Sequence, residues 1–339
     1  MSKKKTADFW QIATTFLNHQ LKEIRQVSTR TIDTYRYCLN CFIDYLETKE
    51  HVPRQEVTFQ CFETAILKRY QNWLLTIRHL SPKTSNLHMS AIRSLLEYAS
   101  QVNIGFMPLY TSARTIPATK LPNHPIEYFT KDEMTALLAA PNNVNKTEKR
   151  NQMLLIFLYD TAARVSEAAH VRLCDLHLDA KTPYVTLLGK GRKYRNIPLM
   201  DRTVQHIRQY LKEFHGLNLK EEIPLFYSRS HGCIQELSTD TFEKMIKKYA
   251  QRCRDNGQNM PQNVHCHMIR KTRAMDLYSE GVPLTHIQQL LGHESISTTS
   301  GFYAFATLDT LSKTLDNVTP DNTPKTWEDP EVLNKLYKL

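Results

Sequence analysis

Apolar residues recur at three- and four-residue steps over roughly the first hundred positions. Ile32, Tyr35, Leu39, Phe42, Ile43 and Leu46 fall on one face, the period of a helix that turns one stripe towards a core. The pattern predicts two helices within residues 8–48, the second opening at Ser28-Thr29-Arg30-Thr31, because Ser and Thr side chains accept from free N–H groups at a helix start. A second pair is predicted over 62–75 and 84–99, the latter carrying Leu87, Ile92, Leu95, Leu96 and Tyr98. Ser81-Pro82 suits the turn between them, since proline is tolerated at the first helical position. From Gly105 to Glu127 the periodicity stops and Pro108, Pro117, Pro122 and Pro125 follow one another. Proline lacks a donor and restricts its predecessor, so this stretch is predicted to be an extended linker at a domain boundary.

Periodicity then returns. Thr130-Lys131-Asp132-Glu133 has the form of a capping box and predicts a helix through Leu138 that stops near Pro141. Residues 149–161 are apolar on nearly every side (Met153 to Leu158), which predicts a buried helix, and it runs into Thr161-Ala162-Ala163-Arg164-Val165-Ser166-Glu167. The turn Gly189-Lys190-Gly191-Arg192-Lys193 separates two short runs, 184–188 and 195–199, which read as a hairpin. Helical spacing resumes with Val204, Ile207, Leu211 and Phe214, and again with Phe242, Ile246 and Tyr249. The fold class expected is mainly α with a small β-sheet. The expected domains are residues 1–110, helical; 111–126, linker; 127–315, a mixed α/β domain; and 316–339, a C-terminal tail.

Composition narrows the partners. Lys and Arg number 44 against 34 Asp and Glu, a formal net charge of +10, which favours a polyanion such as nucleic acid. No run approaches the ~18 apolar residues of a membrane helix, and no apolar signal region follows the basic start. Seven cysteines without regular spacing suit a reducing compartment, so a cytoplasmic protein is expected. Cys38 and Cys41 lie within a helical pattern and read as buried thiols. His265-Cys266-His267 has no second ligand pair spaced for zinc, and neighbouring residues on a helix do not face one ion.

The residues left over are those of phosphate chemistry. A phosphodiester attacked by a protein nucleophile needs charge stabilised on its non-bridging oxygens, a proton removed from the nucleophile and one given to the departing oxygen. Arginine suits the first task, because its planar fork binds phosphate bidentately and stays charged. Arg164, after the buried helix, and Arg270, three residues beyond His267, are the candidates. On a helix the latter spacing puts His267 and Arg270 on one face.

Four motifs in order, Thr161-Ala-Ala-Arg164-Val-Ser-Glu167, Gly189-Lys190-Gly-x-Lys193-x-Arg195, His267-x-x-Arg270 and Leu291-Gly292-His293, followed by Tyr303, resemble the tyrosine recombinases, and most closely the phage-integrase and Xer types. The helical first hundred residues resemble that family's core DNA-binding domain. The resemblance implies that Arg164 and Arg270 hold the scissile phosphate and that Lys190 protonates the leaving 5′ oxygen. It implies further that His267 assists proton transfer, His293 contacts the phosphate, and Tyr303 attacks to leave a 3′-phosphotyrosine. Glu167 matches an acidic position with a packing or orienting role. The family commonly places its tyrosine nine residues after the last histidine; here that position is Phe302, and Tyr303 stands at ten. Phenylalanine has no hydroxyl, so Tyr303 is the expected nucleophile, with an extra residue accommodated near Ser300-Gly301.

The implied activity is cleavage and rejoining of DNA at specific sites without a cofactor or an obligatory metal. The implied assembly is a homotetramer on double-stranded DNA, closing on the duplex as a clamp. Arg192, Lys193, Arg195, Lys83 and Arg93 are expected to contact DNA. The helical domain begins almost at once, so no separate arm-binding domain is expected before it, which suits the recombinase of a mobile element. The rival readings are a type IB topoisomerase, which shares the chemistry, and a DNA-binding accessory protein without activity.

Overall fold

The periodic apolar faces of the first half become helices that close on one another. A computed structural model describes residues 3–122, 127–189, 193–216, 222–230, 233–292 and Pro330. The chain divides into two compact units, Met1–His124 and Pro125–Leu339.

In the first unit, α1 (Lys3–Thr15) runs on as a π-helical stretch, Phe16–Ile24. α2 (Thr29–Lys49) opens at Ser28, whose hydroxyl accepts from the Thr31 N–H at 3.2 Å. α3 (Thr64–Thr76) and α4 (Pro82–Val102) follow, with Ser81 capping α4 and Pro82 in its first turn. Their inward faces gather Phe9, Phe16, Phe42, Phe62, Tyr70 and Leu46 into one core. Each such fully buried side chain contributes about 1.5–3 kcal/mol. Cys38 and Cys41 are buried on α2, and burial drives the Cys38 thiol up to about 11, which keeps it inert.

The expected extended linker starts later than its prolines suggest. Residues 107–115 form α5 (Met107–Thr115), and Ala113 and Ile116 join the core. Pro108 is no obstacle, because it occupies the first turn, where a missing N–H breaks no helical bond. Arg93, on α4, donates to the carbonyls of Ala113 (3.1 Å) and Ile116 (2.7 Å) and so fastens the end of α5. Asn86 exchanges two hydrogen bonds with the Thr119 backbone.

The second unit opens with α6 (Lys131–Ala139), whose Thr130–Glu133 capping box is complete. α7 (Lys146–Thr161) is buried along most of its surface, through Met153, Leu154, Leu155, Phe157 and Leu158. A five-residue helix, α8 (Val165–Ala169), leads to an antiparallel sheet in the order β1 (Leu176–His177), β2 (Tyr184–Leu188), β3 (Tyr194–Pro198). α9 (Asp201–Phe214) precedes a second antiparallel pair, β4 (Tyr227–Ser230) and β5 (Cys233–Glu236). α10 (Thr239–Asp255), α11 (Cys266–Ser279) and α12 (Leu284–Leu291) complete the unit. α7, α10 and α11 meet around Phe157, Phe242, Ile246, Tyr249 and Ile269. The β1 strand, the β4–β5 pair, α8 and the π-helical stretch lie beyond what periodicity reveals. Among the described residues, no helix is long and apolar enough to cross a membrane.

Candidate active site

The end of α7 makes the first half of the site. Thr161 turns its hydroxyl back to the Phe157 carbonyl (2.6 Å) and accepts from the Ala163 N–H at 3.2 Å. Between them Ala162, fully buried, adopts the left-handed conformation at φ 48° and ψ 29°. A side-chain-bearing residue pays for that geometry in steric strain, and the result is an abrupt change of direction that brings Arg164 out at the start of α8. The same twist aims the Ala162 carbonyl at Arg270, whose Nη1 donates to it at 2.6 Å.

α11 supplies Arg270 and His267. Its first N–H, that of Cys266, is shared between both carboxylate oxygens of Glu243 on α10, each at 3.3 Å. Along its length Tyr159 of α7 donates to Asp276 (2.7 Å), and the Thr272 hydroxyl accepts from the Phe129 N–H (2.9 Å). Held in this way, Arg270 is only 3% exposed. Burial, followed by the like charge of Arg164, lowers its pKa to about 9, with Glu167 opposing the fall and Arg195 adding to it. It remains charged at neutral pH.

The last turn of α12 holds three arginines through three consecutive carbonyls. Leu290 O accepts from Arg195 Nε at 3.1 Å, Leu291 O accepts from Arg270 Nη2, and Gly292 O accepts from Arg164 Nη2 at 3.3 Å. Carbonyls at a helix C-terminus have no partner within the helix and carry the negative end of its dipole, so a cation is the natural complement. Gly292, left-handed at φ 59°, ends the helix and points its own carbonyl into this cluster.

One carboxylate faces the three guanidiniums. Glu167 is buried, and four donors reach it: the Arg164 N–H and Nη1 (both 2.7 Å), and Nη1 and Nη2 of Arg195 (2.8 and 2.7 Å). Burial alone would raise its pKa, but the paired Arg195 and the two Arg164 donors outweigh it and hold the carboxyl at about 2. The cluster therefore keeps an excess of positive charge, and the arginine with the most open side chain is Arg164, at 31% against 13% for Arg195. His267 is exposed to solvent at the edge of the cluster, and its ring lies 6.5 Å from that of His265. Although the residue keeps solvent exposure, desolvation of its ring, then the charges of Arg270 and Lys271, His265 and Arg164, draw the His267 pKa down to about 4, so its imidazole is neutral at pH 7. Among the described residues, no three His, Cys, Asp or Glu side chains gather as a metal site.

Arg164, His267 and Arg270 are thus brought together by α7, α8, α11 and α12. Lys190 and Arg192, on the hairpin turn, and His293 and Tyr303, beyond α12, lie outside the described residues. At the base of that turn the Gly189 N–H donates to the carbonyl of Lys193, an exposed residue, at 2.8 Å. Lys83 is exposed at the start of α4. Two of the expected DNA contacts are differently engaged: Arg93 holds the end of α5, and Arg195 holds Glu167 and α12. For Arg195 a signal was present in the sequence. Strand alternation puts it in phase with the buried Ile197, and it pairs across the sheet with the buried Leu187, so its side chain faces inward.

The chain matches known families over both of its units. The Phage integrase family matches residues 127–307, and the phage integrase N-terminal SAM-like domain matches residues 17–105. Tyrosine recombinase XerC of Staphylococcus epidermidis is 30% identical over 312 residues, covering 91% of this chain and 97% of the relative. Among solved structures, the Tn1549 transposon integrase in complex with transposon right-end DNA superposes with a TM-score of 0.69 at 16% identity, over 91% of this chain and 99% of that one. The XerH recombinase bound to its palindromic difH substrate, in a post-cleavage complex, gives 0.63 at 19% identity, over 87% and 82%.

Proposed function

The chain belongs to the phage integrase family, as a tyrosine-type site-specific recombinase, and from that membership we propose that its arginine cluster is the phosphate cradle of a DNA strand-transfer reaction. Tyr303 attacks the scissile phosphorus through its phenolic oxygen, and the P–O5′ bond breaks. The tyrosine proton passes to neutral His267, and Lys190 delivers a proton to the departing 5′ oxygen. The products are a 3′-phosphotyrosine and a free 5′ hydroxyl. The reverse attack by a 5′ hydroxyl rejoins the strand, so the bond energy is conserved. Arg164 and Arg270, with His293, stabilise the charge that develops on the non-bridging oxygens.

The observation that carries this reading is the pairing of one sequestered and one open arginine on the same helix end. Arg270 is fixed by the Ala162 and Leu291 carbonyls, while Arg164 remains partly open on the same cluster. Such preorganisation is what a transition state rewards, because no donor must move as charge develops. A phenol with an ordinary pKa of about 10 also needs a cationic neighbourhood to react near neutrality.

A homotetramer working on two duplex sites, with both units contacting DNA, belongs to the same proposal, as does a mobile element as its genetic setting. The relatives bound to transposon-end and difH DNA support a duplex substrate. The test is a nicked DNA site that releases, on cleavage, the short downstream fragment bearing the new 5′ hydroxyl. Covalent adduct should accumulate with the unaltered protein and with Phe302→Leu, and vanish in Tyr303→Phe. An adduct that persists in Tyr303→Phe rules out the nucleophile, and none with the unaltered protein on its own site indicates an accessory DNA-binding protein.

A further inference from the structure

Arg195 presents a charge on the inward face of a strand, opposite a buried leucine, where an apolar side chain would be expected. Each of its three nitrogens donates: Nη1 and Nη2 to the two oxygens of Glu167, and Nε to Leu290 O. The site around it is fitted closely. A Cβ on Gly292 would lie 3.0 Å from Arg195 Cδ, and one on Gly189 would lie 3.3 Å from Arg195 Nη1 and 3.6 Å from Glu167 Oε1. The hairpin base, Glu167 and the end of α12 therefore meet on this one guanidinium.

Resting on the reading of Arg164 as a phosphate ligand, we propose that Arg195 is a positioning residue that saturates Glu167 and thereby keeps the Arg164 guanidinium available to the scissile phosphate. The argument is a competition for one buried carboxylate. Glu167, with its side chain 3% exposed, requires a cationic partner. Arg195 supplies it with a two-point contact, the stronger geometry for a guanidinium and a carboxylate. Arg164 makes only a one-point side-chain contact with the same group, through Nη1 to Oε1, beside a long bond from Nη2 to Gly292 O. Without Arg195, Arg164 becomes the nearest cation to Glu167, and closing on both oxygens would withdraw it from the site. Arg195 also anchors the strand that follows the Lys190 turn, which by itself would be a purely structural role.

The two roles separate in a double variant. Arg195→Met removes the charge at similar volume, Glu167→Gln removes the need for it, and each is measured for single-turnover adduct formation on the nicked site, for site binding and for thermal melting. Arg195→Met should bind the site and form adduct about 100-fold more slowly, the scale of one lost oxyanion donor. Glu167→Gln alone should also be slow, because it leaves Arg195 buried without its counter-charge. The pair together should recover to within about tenfold of the unaltered protein. The proposal is overturned if Arg195→Met cleaves at the unaltered rate, or if the double variant is as slow as Arg195→Met or slower. Should Arg195→Met fail to fold, the double variant, which leaves no buried carboxylate without Arg195, decides alone by the same tenfold criterion. If the unaltered protein forms no adduct, it is the recombinase chemistry that fails and not the role of Arg195.

Discussion

A single methyl group at Gly292 should disturb stability and cleavage together. Gly292 ends α12 at φ 59°, and a Cβ there would lie 3.0 Å from Arg195 Cδ and 3.2 Å from both Nε and Nη1. The left-handed conformation costs about 1–2 kcal/mol for a residue with a side chain. The Arg195 stem must also give by a few tenths of an ångström, although its head is fixed at three points. The bond from Nε to Leu290 O is already 3.1 Å, and losing this charge-assisted bond costs about 1.5–3 kcal/mol. For a unit of this size the combined effect lowers Tm by roughly 8–15 °C. Gly281 is the control: it is left-handed at φ 84° with nothing within 4 Å of a Cβ. Gly281→Ala should therefore show the conformational cost alone, roughly 3–6 °C. Melting followed by circular dichroism, with adduct formation in parallel, makes the comparison. If Gly292→Ala melts with Gly281→Ala and cleaves normally, Arg195 is not pinned against the helix end as described.

The depressed pKa of His267 has a stability signature. Its folded value, about 4, lies below the ordinary 6.5, so between these values the unfolded chain binds more protons and stability falls as pH falls through that window. Urea unfolding at pH 7.5 and pH 5 should show a larger loss for the unaltered protein than for His267→Gln, by a fraction of the ~1.4 kcal/mol per unit expected of a fully buried group; equal losses would contradict the low value. Lys83 and Arg93 should behave differently although both are basic residues of α4. Lys83→Ala should flatten the dependence of DNA affinity on salt by about one unit of slope. Arg93→Ala should leave that slope unchanged and lower stability by about 1–3 kcal/mol, since it removes two bonds to the Ala113 and Ile116 carbonyls. A reduced salt slope in Arg93→Ala would return that residue to the DNA surface.

Much of this architecture is legible in residue patterns because its determinants are local. Ser28, Ser81 and the Thr130–Glu133 pair cap the helices that their positions announce, and 184–188 is a strand with the bounds its alternation gives. α5 escaped because proline is a breaker only in a helix interior, and Pro108 sits in the first turn. Arg164, His267 and Arg270, which the structure brings together, stand out in the sequence as residue types, but their wiring is a matter of tertiary contact. That Leu290, Leu291 and Gly292 offer consecutive carbonyls to Arg195, Arg270 and Arg164 depends on where α12 ends in space. The left-handed Ala162 is equally hidden, since alanine gives no hint of positive φ. Arg93 and Arg195 are engaged within the protein, which their charge alone does not reveal, and for Arg195 the strand register carried the signal.

The most direct test of the strand-transfer chemistry is to identify the residue that carries the nucleotide. After reaction with a nicked site and digestion of protein and DNA, mass spectrometry should find a 3′-phosphonucleotide on Tyr303 and on no other residue, with a free 5′ hydroxyl on the released strand. A nucleotide on any other side chain, or a 5′-linked adduct, would contradict the account.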